Sequence, residues 1–293
     1  MSRIGFIGVG TMGAPMARNI AKGGHEVKAY DIDAKAVAAL ADAGIKPAKS
    51  AVTAADGAEI LITMLPNSRH VEEAAFDEGG FASALSRDAL YIDMSTIAPA
   101  TTDSIGARMA ERGIAMVDAP VGRQQSHAVA GKLMIMVGGA DEAVARARPV
   151  LELMGDTIVH CGRLGMGVRM KVVNNYMSIA LNSLSAEALV LAERSGLDPN
   201  LAREVMLGTA AGQGHFGGTY PAKVLKGDLT PGFMIDLAQK DMGLALDLAA
   251  SLDVSVGTGK AARAAYDRAQ KEGRGREDWT AVYASARRSA GLG

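Results

Sequence analysis

The chain has 293 residues, a formal net charge of -1 from 31 basic and 32 acidic residues, and only 4% aromatic residues. This length suits two domains, or one domain with a helical extension, with enough residues for a proper core. The balanced charge and the scarcity of aromatic rings exclude a basic or base-stacking nucleic-acid surface.

The types and spacing of a few residues narrow the class further. Cys161 is the only cysteine, which excludes an intramolecular disulfide and suggests a reducing cytoplasm. The first residues lead directly into the strand-like IGFIG without a signal-peptide layout, and no apolar run reaches the roughly 18 residues of a membrane span. The five histidines are scattered, with no pair at metal-ligand spacing. We therefore expect a cytoplasmic protein with no metal, no membrane and no nucleic-acid partner.

Short apolar runs alternate with helix-like stretches from residue 1 to about 163. The predicted strands are Ile4–Gly8, Glu26–Asp31, Glu59–Leu65, Ala89–Met94, Ala115–Ala119, Lys132–Val137 and Thr157–His160. The helices predicted between them are Met12–Lys22, Ala34–Ala43, Thr101–Arg112 and Asp141–Met154. Strands that alternate with helices of this length indicate βαβ units and a mainly parallel sheet.

A glycine-rich turn joins the first predicted strand to the first predicted helix. Its sequence, GVGTMG, is the GxGxxG fingerprint of a Rossmann domain. The first glycine allows the tight turn, the second lets the backbone approach a pyrophosphate, and the third lets the helix pack on the strand. The pyrophosphate would lie at the positive end of the helix. The residues predicted to bind it are Gly8, Gly10, Thr11, Met12 and Gly13.

An acidic residue follows this turn at the expected interval. Asp31 ends the second predicted strand, 18 residues after Gly13. A carboxylate in this place accepts hydrogen bonds from the hydroxyls of the adenine ribose and would repel a 2′-phosphate. The pair of signals therefore predicts NAD (as NADH) rather than NADP as the cofactor. The alternative is a structural glycine turn with an incidental aspartate.

Two further strand ends lie where the nicotinamide half of a cofactor would run. Leu65 and Pro66 follow one strand, and Ser95 and Thr96 follow the next. Ligands of open α/β sheets bind outside the carboxyl ends of the strands, so we predict that Leu65, Pro66 and Thr96 contact the cofactor and Ser95 the substrate. Each signal alone also fits a strand-terminating proline or an N-capping hydroxyl.

The strand pattern ends after Gly165, and the remainder is predicted to be helical. The predicted helices are 167–195, one that begins near Pro199, Phe233–Leu252, Lys260–Gln270 and Asp278–Ala290, with Pro199 and Pro231 near helix starts. The glycine-rich segment 161–167 marks a boundary between a Rossmann domain at 1–163 and an all-α domain at 164–293. We expect these domains to pack closely, with a cleft between them.

The first of these helices carries a narrow polar stripe on an otherwise apolar surface. Its polar residues fall at helical spacing: Lys171, Asn174, Asn175, Ser178, Asn182 and Ser185. Surface helices have the reverse proportions, and burying an unpaired lysine is costly, so a mostly buried helix of this kind predicts a polar-ligand site. The alternative is a buried hydrogen-bond network between subunits. A helix so apolar outside its stripe needs cover on several sides, which predicts a homodimer or homotetramer.

Several segments, which occur in order, resemble a known family. They are GFIGVGTMGAPMARNI, DMST at 93–96, DAPV at 118–121, GKLMIMVGG at 131–139, GMGVRMKVVNN at 165–175 and QKD at 239–241. Over almost its whole length the chain resembles the β-hydroxyacid dehydrogenases, relatives of 3-hydroxyisobutyrate dehydrogenase and tartronate semialdehyde reductase. The resemblance implies a Rossmann domain followed by an all-helical domain. It also implies that Lys171 is catalytic, with Asn175 beside it and Lys240 near the nicotinamide.

The chain departs from the family pattern after DAPV. Where the family usually continues with Ser-Gly-Gly, this chain has Gly122-Arg123-Gln124. An arginine brings a delocalised charge and a fork of donors, which suit a larger or three-oxygen anion. The accompanying segments VGRQQSHAVAG, NNYMSIALNSLSAEA, GTAAGQGHF, FMIDLAQKD and GRGREDW are similar to those of the sulfolactaldehyde-reducing branch.

That branch implies a small anionic aldehyde as substrate: NADH would reduce 3-sulfolactaldehyde to 2,3-dihydroxypropane-1-sulfonate, a step of sulfoquinovose breakdown. By the resemblance, Lys171 acts as general acid and Arg123 anchors the sulfonate. The other implied substrate contacts are Ser95, Gly122, Asn174, Asn175, Tyr176, Met177, Ser178 and Lys240.

Other functions and roles stay open. The same family includes enzymes for 4-hydroxybutyrate and succinic semialdehyde, 3-hydroxyisobutyrate and tartronate semialdehyde. A non-catalytic NAD-binding module is a third reading. Lys240 and Asp241 would also fit a solvated pair on a helix, and His215 either a lid or a helix connection.

Overall fold

The computed structural model describes residues 1–215 and 217–292. The chain folds into two compact units, one from Met1 to Asn175 and one from Tyr176 onward. The division falls inside a continuous helix, Met166–Arg194, whereas the domain boundary predicted from the sequence lies before that helix. The boundary at residue 163 stays a prediction.

Within the described residues, the first unit holds a sheet of nine strands. They are β1 (Arg3–Ile7), β2 (Glu26–Tyr30), β3 (Lys46–Pro47), β4 (Ile60–Thr63), β5 (Leu90–Asp93), β6 (Ala115–Asp118), β7 (Val121–Gly122), β8 (Leu133–Gly138) and β9 (Gly155–Gly162). The order is β3-β2-β1-β4-β5-β6-β8-β7, with β9 paired to β8. Strands β1 to β6 pair in parallel, and only β8 runs antiparallel to its neighbours β6 and β7. The prediction of a mainly parallel sheet is confirmed.

The register of β8 places one loop beyond the edge of the parallel strands. Strands β6 and β8 are paired at Asp118 and Gly138, whereas β7 pairs with residues earlier in β8. Because β8 is antiparallel to β6, β7 and the first part of β8 extend past the carboxyl end of β6. Gly122 and Arg123 are thereby carried beyond the sheet edge at which ligands of such folds bind.

Helices cover the sheet of the first unit. They are α1 (Gly13–Lys22), α2 (Ala34–Ala38), α3 (Ala51–Ala55), α4 (Ser68–Phe76), α5 (Pro99–Glu111), α6 (Gln125–Val129), α7 (Asp141–Leu151) and the start of α8 (Met166–Arg194). Two buried apolar layers separate them from the strands. Ile60 and Ile62 belong to the layer that contains Met16, and Leu61 to the layer that contains Val71. This alternation is what the two-residue period of a strand requires.

The sequence analysis did not predict α3 and α4. Both begin at a capping side chain: the Ser50 hydroxyl accepts the Thr53 N–H at 3.2 Å, and the Asn67 side chain accepts the His70 N–H at 3.1 Å. Such short helices give weak apolar periodicity, so the caps were the better signal.

The second unit is helical, as predicted. Beyond the end of α8 it contains α9 (Pro199–Leu207), α10 (Ala210–Gln213), α11 (Thr219–Ala222), α12 (Ile235–Ser251), α13 (Gly257–Ala269) and α14 (Val282–Ser289). Its described residues include no β-strand, apart from an isolated bridge between Met234 and Asp278. No helix in the described part of the chain has the length and apolarity needed to cross a bilayer.

Helix starts in the second unit follow their capping groups. Asp198 accepts the N–H groups of Asn200 and Leu201 at 2.9 Å, with Pro199 in the first helical position as predicted. The Glu187 carboxylate accepts the Thr258 N–H at 2.9 Å at the start of α13. Pro231, in contrast, lies four residues before α12, so its prediction as a helix start was early.

Asp278 is the central buried acid of the second unit and is 2% exposed. It accepts the Gly232 N–H at 2.8 Å, the Thr280 hydroxyl at 2.5 Å and the Lys223 ammonium at 3.4 Å. Burial alone would raise the pKa of Asp278, but these donors outweigh it and lower the pKa to about 2. Next to it, the Trp279 ring meets the rings of His215 and Phe233 edge-on, with centroids 4.7 and 5.4 Å away.

Candidate active site

The glycine-rich turn has the geometry that a dinucleotide requires. Gly8 has a φ of 92°, and a Cβ there would lie 2.3 Å from the Met64 carbonyl oxygen. A Cβ at Gly13 would lie 1.9 Å from the Gly8 carbonyl oxygen. A Cβ at Gly10 would meet open space, so the glycine leaves the backbone accessible from outside. The turn needs its first and third glycines for its own shape and presents the second to a ligand.

The start of α1 and the acid at the end of β2 fit the two ends of an ADP moiety. No side chain caps α1 and its first turn holds no acidic residue, so its N–H groups and positive dipole end are available to a pyrophosphate. Asp31 accepts the Val9 N–H at 2.8 Å through Oδ2, which ties it to the glycine turn. A carboxylate can accept further hydrogen bonds from a ribose. The residues present therefore fit NAD.

Sequence reasoning missed Ile32, the residue after Asp31. Its side chain is 92% exposed, which is unusual for an isoleucine in a well-packed domain. It offers an apolar surface, next in sequence to the carboxylate, that a ligand could contact. An apolar residue directly after the strand-end acid was the available signal.

The strand ends β4 and β5 are joined by a buried polar network. The Thr63 hydroxyl donates to Asp93 at 2.8 Å, the Ser95 N–H donates to the same oxygen at 3.0 Å, and the Ser95 hydroxyl accepts the Leu65 N–H at 2.9 Å. Burial raises the pKa of Asp93 to about 6, against the lowering effect of hydrogen bonds from Ser95 and Thr63. Asp118 on the neighbouring strand adds to the rise.

This network changes the interpretation of the residues predicted at these strand ends. Ser95 is 2% exposed, and its hydroxyl serves the strand-to-strand connection by accepting the Leu65 N–H. Its contact with a substrate stays a prediction. Pro66 and Thr96 are exposed at the sheet edge, and Leu65 is half-buried. The contacts of these three residues with the cofactor stay a prediction.

Lys171 lies in the second turn of α8. Its side chain is half-buried, and burial lowers the pKa of the ammonium. No described residue forms an ion pair or hydrogen bond with this ammonium within the distances that define them. Asn175 is half-buried one turn later, and the Asn174 amide donates to it at 3.4 Å. The structure thus brings Lys171, Asn174 and Asn175 together on one stretch of helix.

The expectation that α8 is mostly buried is wrong for the single chain. Among its apolar residues, Val173 is 65%, Tyr176 77% and Ile179 69% exposed. Ser178 is exposed as well, and Met177 is half-buried. The apolar periodicity was read correctly, but one copy of the chain supplies no cover for these faces.

Arg123 is held by the edge of the sheet. It has a φ of 74°, a left-handed conformation that side chains rarely adopt. The guanidinium donates to the Lys132 carbonyl at 2.5 Å, to Asp156 at 2.6 Å and to the Thr157 hydroxyl at 3.2 Å. Hydrogen bonds from Thr157 and Arg123 lower the pKa of Asp156. Sequence reasoning had no means to find these partners, which are up to 34 residues away.

Three other predicted positions lie on the surface or within strands. Gly122 is buried in β7. Lys240 on α12 forms an ion pair with Asp241 at 2.9 Å, with the two side chains 60% and 53% exposed, which matches the alternative of a solvated pair. His215 lies against Trp279 and within 3.4 Å of the Thr219 hydroxyl. In the described part of the chain, no cluster of three or more His, Cys, Asp or Glu could hold a metal.

Comparison with known proteins places this arrangement in a family. Residues 3–162 match the NAD-binding domain of 6-phosphogluconate dehydrogenase, and residues 165–286 match the NAD-binding region of NADP-dependent 3-hydroxyisobutyrate dehydrogenase. The chain belongs to the 3-hydroxyisobutyrate dehydrogenase-like β-hydroxyacid dehydrogenases. It is therefore an NAD-dependent oxidoreductase, and the predicted fold class is confirmed.

Individual relatives match 90% or more of the chain. A 3-sulfolactaldehyde reductase of Escherichia coli is 50% identical over 292 residues, which are 100% of this chain and 98% of the relative. A 3-hydroxyisobutyrate dehydrogenase of Pseudomonas aeruginosa is 39% identical over 90% of each chain. The structure of a 3-hydroxyisobutyrate dehydrogenase from Mycobacterium tuberculosis with L-serine matches with a TM-score of 0.68 and 34% identity, covering 98% of this chain and 99% of that one.

Proposed function

We propose that this enzyme uses NADH to reduce a small anionic aldehyde, 3-sulfolactaldehyde in the first place, to 2,3-dihydroxypropane-1-sulfonate. The observation that carries the proposal is the Lys171 ammonium: half-buried, with a lowered pKa and no acidic partner among the described residues. The identity to the E. coli 3-sulfolactaldehyde reductase supports the choice of substrate. A cytoplasmic location, suggested by the single cysteine, belongs to the same proposal.

In this proposal, Lys171 supplies the proton. NADH, when bound, provides the hydride that reduces an aldehyde carbon. The protonated ammonium donates to the aldehyde oxygen, where negative charge develops, and so acts as electrostatic stabiliser and general acid. Its lowered pKa makes the proton easier to release than that of an ordinary lysine. Asn175, one turn later on the same side of α8, would hold the ammonium or the substrate hydroxyl in place once the substrate is bound.

The charge of α8 favours an anionic substrate. From Met166 to Ala186 the helix contains Arg169 and Lys171 and no acidic residue. Asn174 and Ser178 add neutral donors, which bind an anion without repelling it. A sulfonate or a carboxylate would both benefit from this arrangement.

Arg123 is the proposed sulfonate anchor. Of the five N–H groups of a guanidinium, three are used by Lys132, Asp156 and Thr157. The Nε–H and one Nη2–H have no partner among the described residues and remain for an anion. The position of Arg123 beyond the carboxyl edge of the sheet is the side on which such ligands bind.

The proposed preference for NADH over NADPH rests on Asp31. Its carboxylate, fixed by the Val9 N–H, would face the 2′-position of the adenine ribose and repel a phosphate there. The discriminating experiment for the whole proposal is a kinetic comparison of 3-sulfolactaldehyde and succinic semialdehyde, each with NADH and NADPH. We expect the highest kcat/KM for the sulfonate with NADH. A higher value for succinic semialdehyde would reject the sulfonate as the selected substrate.

A second candidate is a carboxylate semialdehyde or hydroxyacid, such as 3-hydroxyisobutyrate or tartronate semialdehyde. The 39% identity to the 3-hydroxyisobutyrate dehydrogenase of P. aeruginosa supports it. A third, a non-catalytic NAD-binding module, would show tight NADH binding and no turnover of any aldehyde in the same panel.

We also propose that the enzyme is a homodimer or homotetramer that covers α8. The exposed Val173, Tyr176 and Ile179 form more apolar surface than a helix in water normally presents. Light scattering on Ile179→Glu should show dissociation, whereas Val129→Glu, at another exposed apolar residue, should not. A monomeric parent protein would reject this assembly.

A further inference from the structure

Asp118 lies at the carboxyl end of β6 and is 1% exposed. Its two carboxylate oxygens accept hydrogen bonds from the backbone just before and inside the first turn of α8. Oδ1 accepts the Gly165 N–H at 2.7 Å, and Oδ2 accepts the Val168 N–H at 2.6 Å. Both bonds are short for N–H···O contacts, as expected when the acceptor is charged. A negative group at this end of a 29-residue helix is also favoured by the helix dipole.

The backbone around Asp118 leaves no room for adjustment. A Cβ at Gly138 would lie 2.4 Å from Asp118 Oδ1 and 2.8 Å from the Gly167 nitrogen. A Cβ at Gly167 would lie 2.3 Å from the Met136 carbonyl oxygen. The start of α8 is therefore in direct contact with the backbone of β6 and β8, and glycines make that contact possible.

A second acid holds the same turn from another side. Asp103 on α5 binds the Arg169 guanidinium through two hydrogen bonds of 3.0 and 2.6 Å, and Arg169 also donates to the Gly165 carbonyl at 2.9 Å. These side chains are 35% and 44% exposed, so water weakens their interaction. Asp103 is thus a natural comparison for Asp118, because it binds the same turn of the helix from the surface.

We propose that Asp118 is a positioning residue that sets where the Lys171 ammonium lies. Lys171 is three residues after Val168, so the two are neighbours on one face of the helix, in successive turns. A helix end held by two hydrogen bonds to a buried carboxylate transmits its position to the next turn. The proposal rests on the proposed function, in which Lys171 supplies a proton, and adds the residue that orients it.

Asp118→Asn is the most conservative change that tests this role. An asparagine has one carbonyl oxygen in place of two carboxylate oxygens, and its NH2 group would face the N–H of either Gly165 or Val168. Two donors cannot bond to each other, so one of the two contacts is lost and becomes repulsive. The start of α8 must then shift, although size and fold are preserved. Asp103→Asn is the matched control.

The direct readout is the pKa of Lys171 itself. Labelling by an amine-reactive reagent over a pH series, followed by peptide mass spectrometry, gives this pKa without any turnover. In the parent protein burial lowers it. We expect Asp118→Asn to raise the pKa of Lys171 towards the ordinary lysine value, because a displaced ammonium regains water, and Asp103→Asn to leave it unchanged. An unchanged pKa in folded Asp118→Asn would overturn the proposal.

Steady-state kinetics separate this proposal from the proposed function. If Lys171 supplies the proton and Asp118 positions it, Asp118→Asn lowers kcat by roughly 10- to 100-fold, because a misplacement of about 1 Å can have that effect. The Kd for NADH stays the same. If the pKa of Lys171 moves but kcat does not, Asp118 positions the residue and the catalytic role of Lys171 is rejected.

A measurement on the unmodified enzyme covers the case in which Asp118→Asn does not fold. Hydrogen exchange of the Gly165 and Val168 amides reports whether the carboxylate holds them. We expect both to exchange as slowly as the amides of β6. Exchange as fast as at a fraying helix end would overturn the proposal.

Discussion

Asp93→Asn is expected to stabilise the first unit at neutral pH and to have little effect near pH 4. The parent carboxyl is 1% exposed, and its pKa is raised from 3.8 to about 6, chiefly by burial. A group whose pKa is raised in the folded state holds its proton more tightly there than in the unfolded chain. Its contribution is therefore complete below about pH 4 and is lost as the pH rises through 6.

The size of the effect follows from the difference between the two pKa values of Asp93, 3.8 and about 6. Two pKa units correspond to about 3 kcal/mol at 25 °C. Asparagine carries no charge at any of these pH values, and its carbonyl oxygen can still accept from the Thr63 hydroxyl and the Ser95 N–H. We therefore expect Asp93→Asn to raise the free energy of unfolding by about 2–3 kcal/mol at pH 7.5 and by much less at pH 4.

The assay needs to report on the first unit alone. Hydrogen exchange of the β5 peptide in increasing urea gives the opening free energy of the central strands, independently of the helical unit. Asp56→Asn, at an exposed carboxylate, is the control and should leave this free energy close to that of the parent protein. A stabilisation by Asp93→Asn that did not depend on pH, or a loss of stability at pH 7.5, would refute the raised pKa of the buried Asp93 carboxyl group.

Three further results are expected. Lys171→Ala should lower kcat by roughly 10²–10⁴ while NADH still binds. In the parent enzyme, aldehyde reduction should decline as the pH rises through the lowered pKa of Lys171. Near-normal turnover of Lys171→Ala would contradict the role of Lys171 as general acid. Arg123→Ala should cost about 2–5 kcal/mol in kcat/KM with the sulfonate and less with succinic semialdehyde; equal losses would make it a general anion contact. Asp278→Asn should destabilise the second unit by about 2 kcal/mol at pH 7, and the difference should disappear between pH 4 and 2, as followed by urea unfolding; a difference that persists at pH 2 would contradict the lowered pKa.

The cofactor half of the candidate site could be predicted from sequence because its chemistry is local. Gly8, Gly13 and Asp31 are needed within one βαβ unit, and their spacing is set by backbone geometry over a few tens of residues. The structure adds the close approaches that explain the glycines and the hydrogen bond from Val9 that fixes the acid.

The substrate half was less predictable because its contacts are distant in sequence. The sequence around Arg123 does not predict its hydrogen bond to Asp156, which is 33 residues away. The motif DMST likewise does not predict that the Ser95 hydroxyl accepts the Leu65 N–H. The periodicity of α8 was read correctly, but whether an apolar face is covered depends on more than one chain. In the sequence, Asp118 is only one residue of the motif DAPV. Its role becomes apparent from its two amide partners in the structure, which lie 47 and 50 residues later.

The ring cluster of the second unit provides an optical probe. Trp279 is the only tryptophan in the chain, and the rings of His215 and Phe233 that meet it belong to the same unit. Intrinsic indole fluorescence therefore reports the environment of the helical unit, without emission from an indole in the nucleotide-binding unit. Changes in that emission during unfolding or ligand titration can be assigned to one half of the protein without any engineered label.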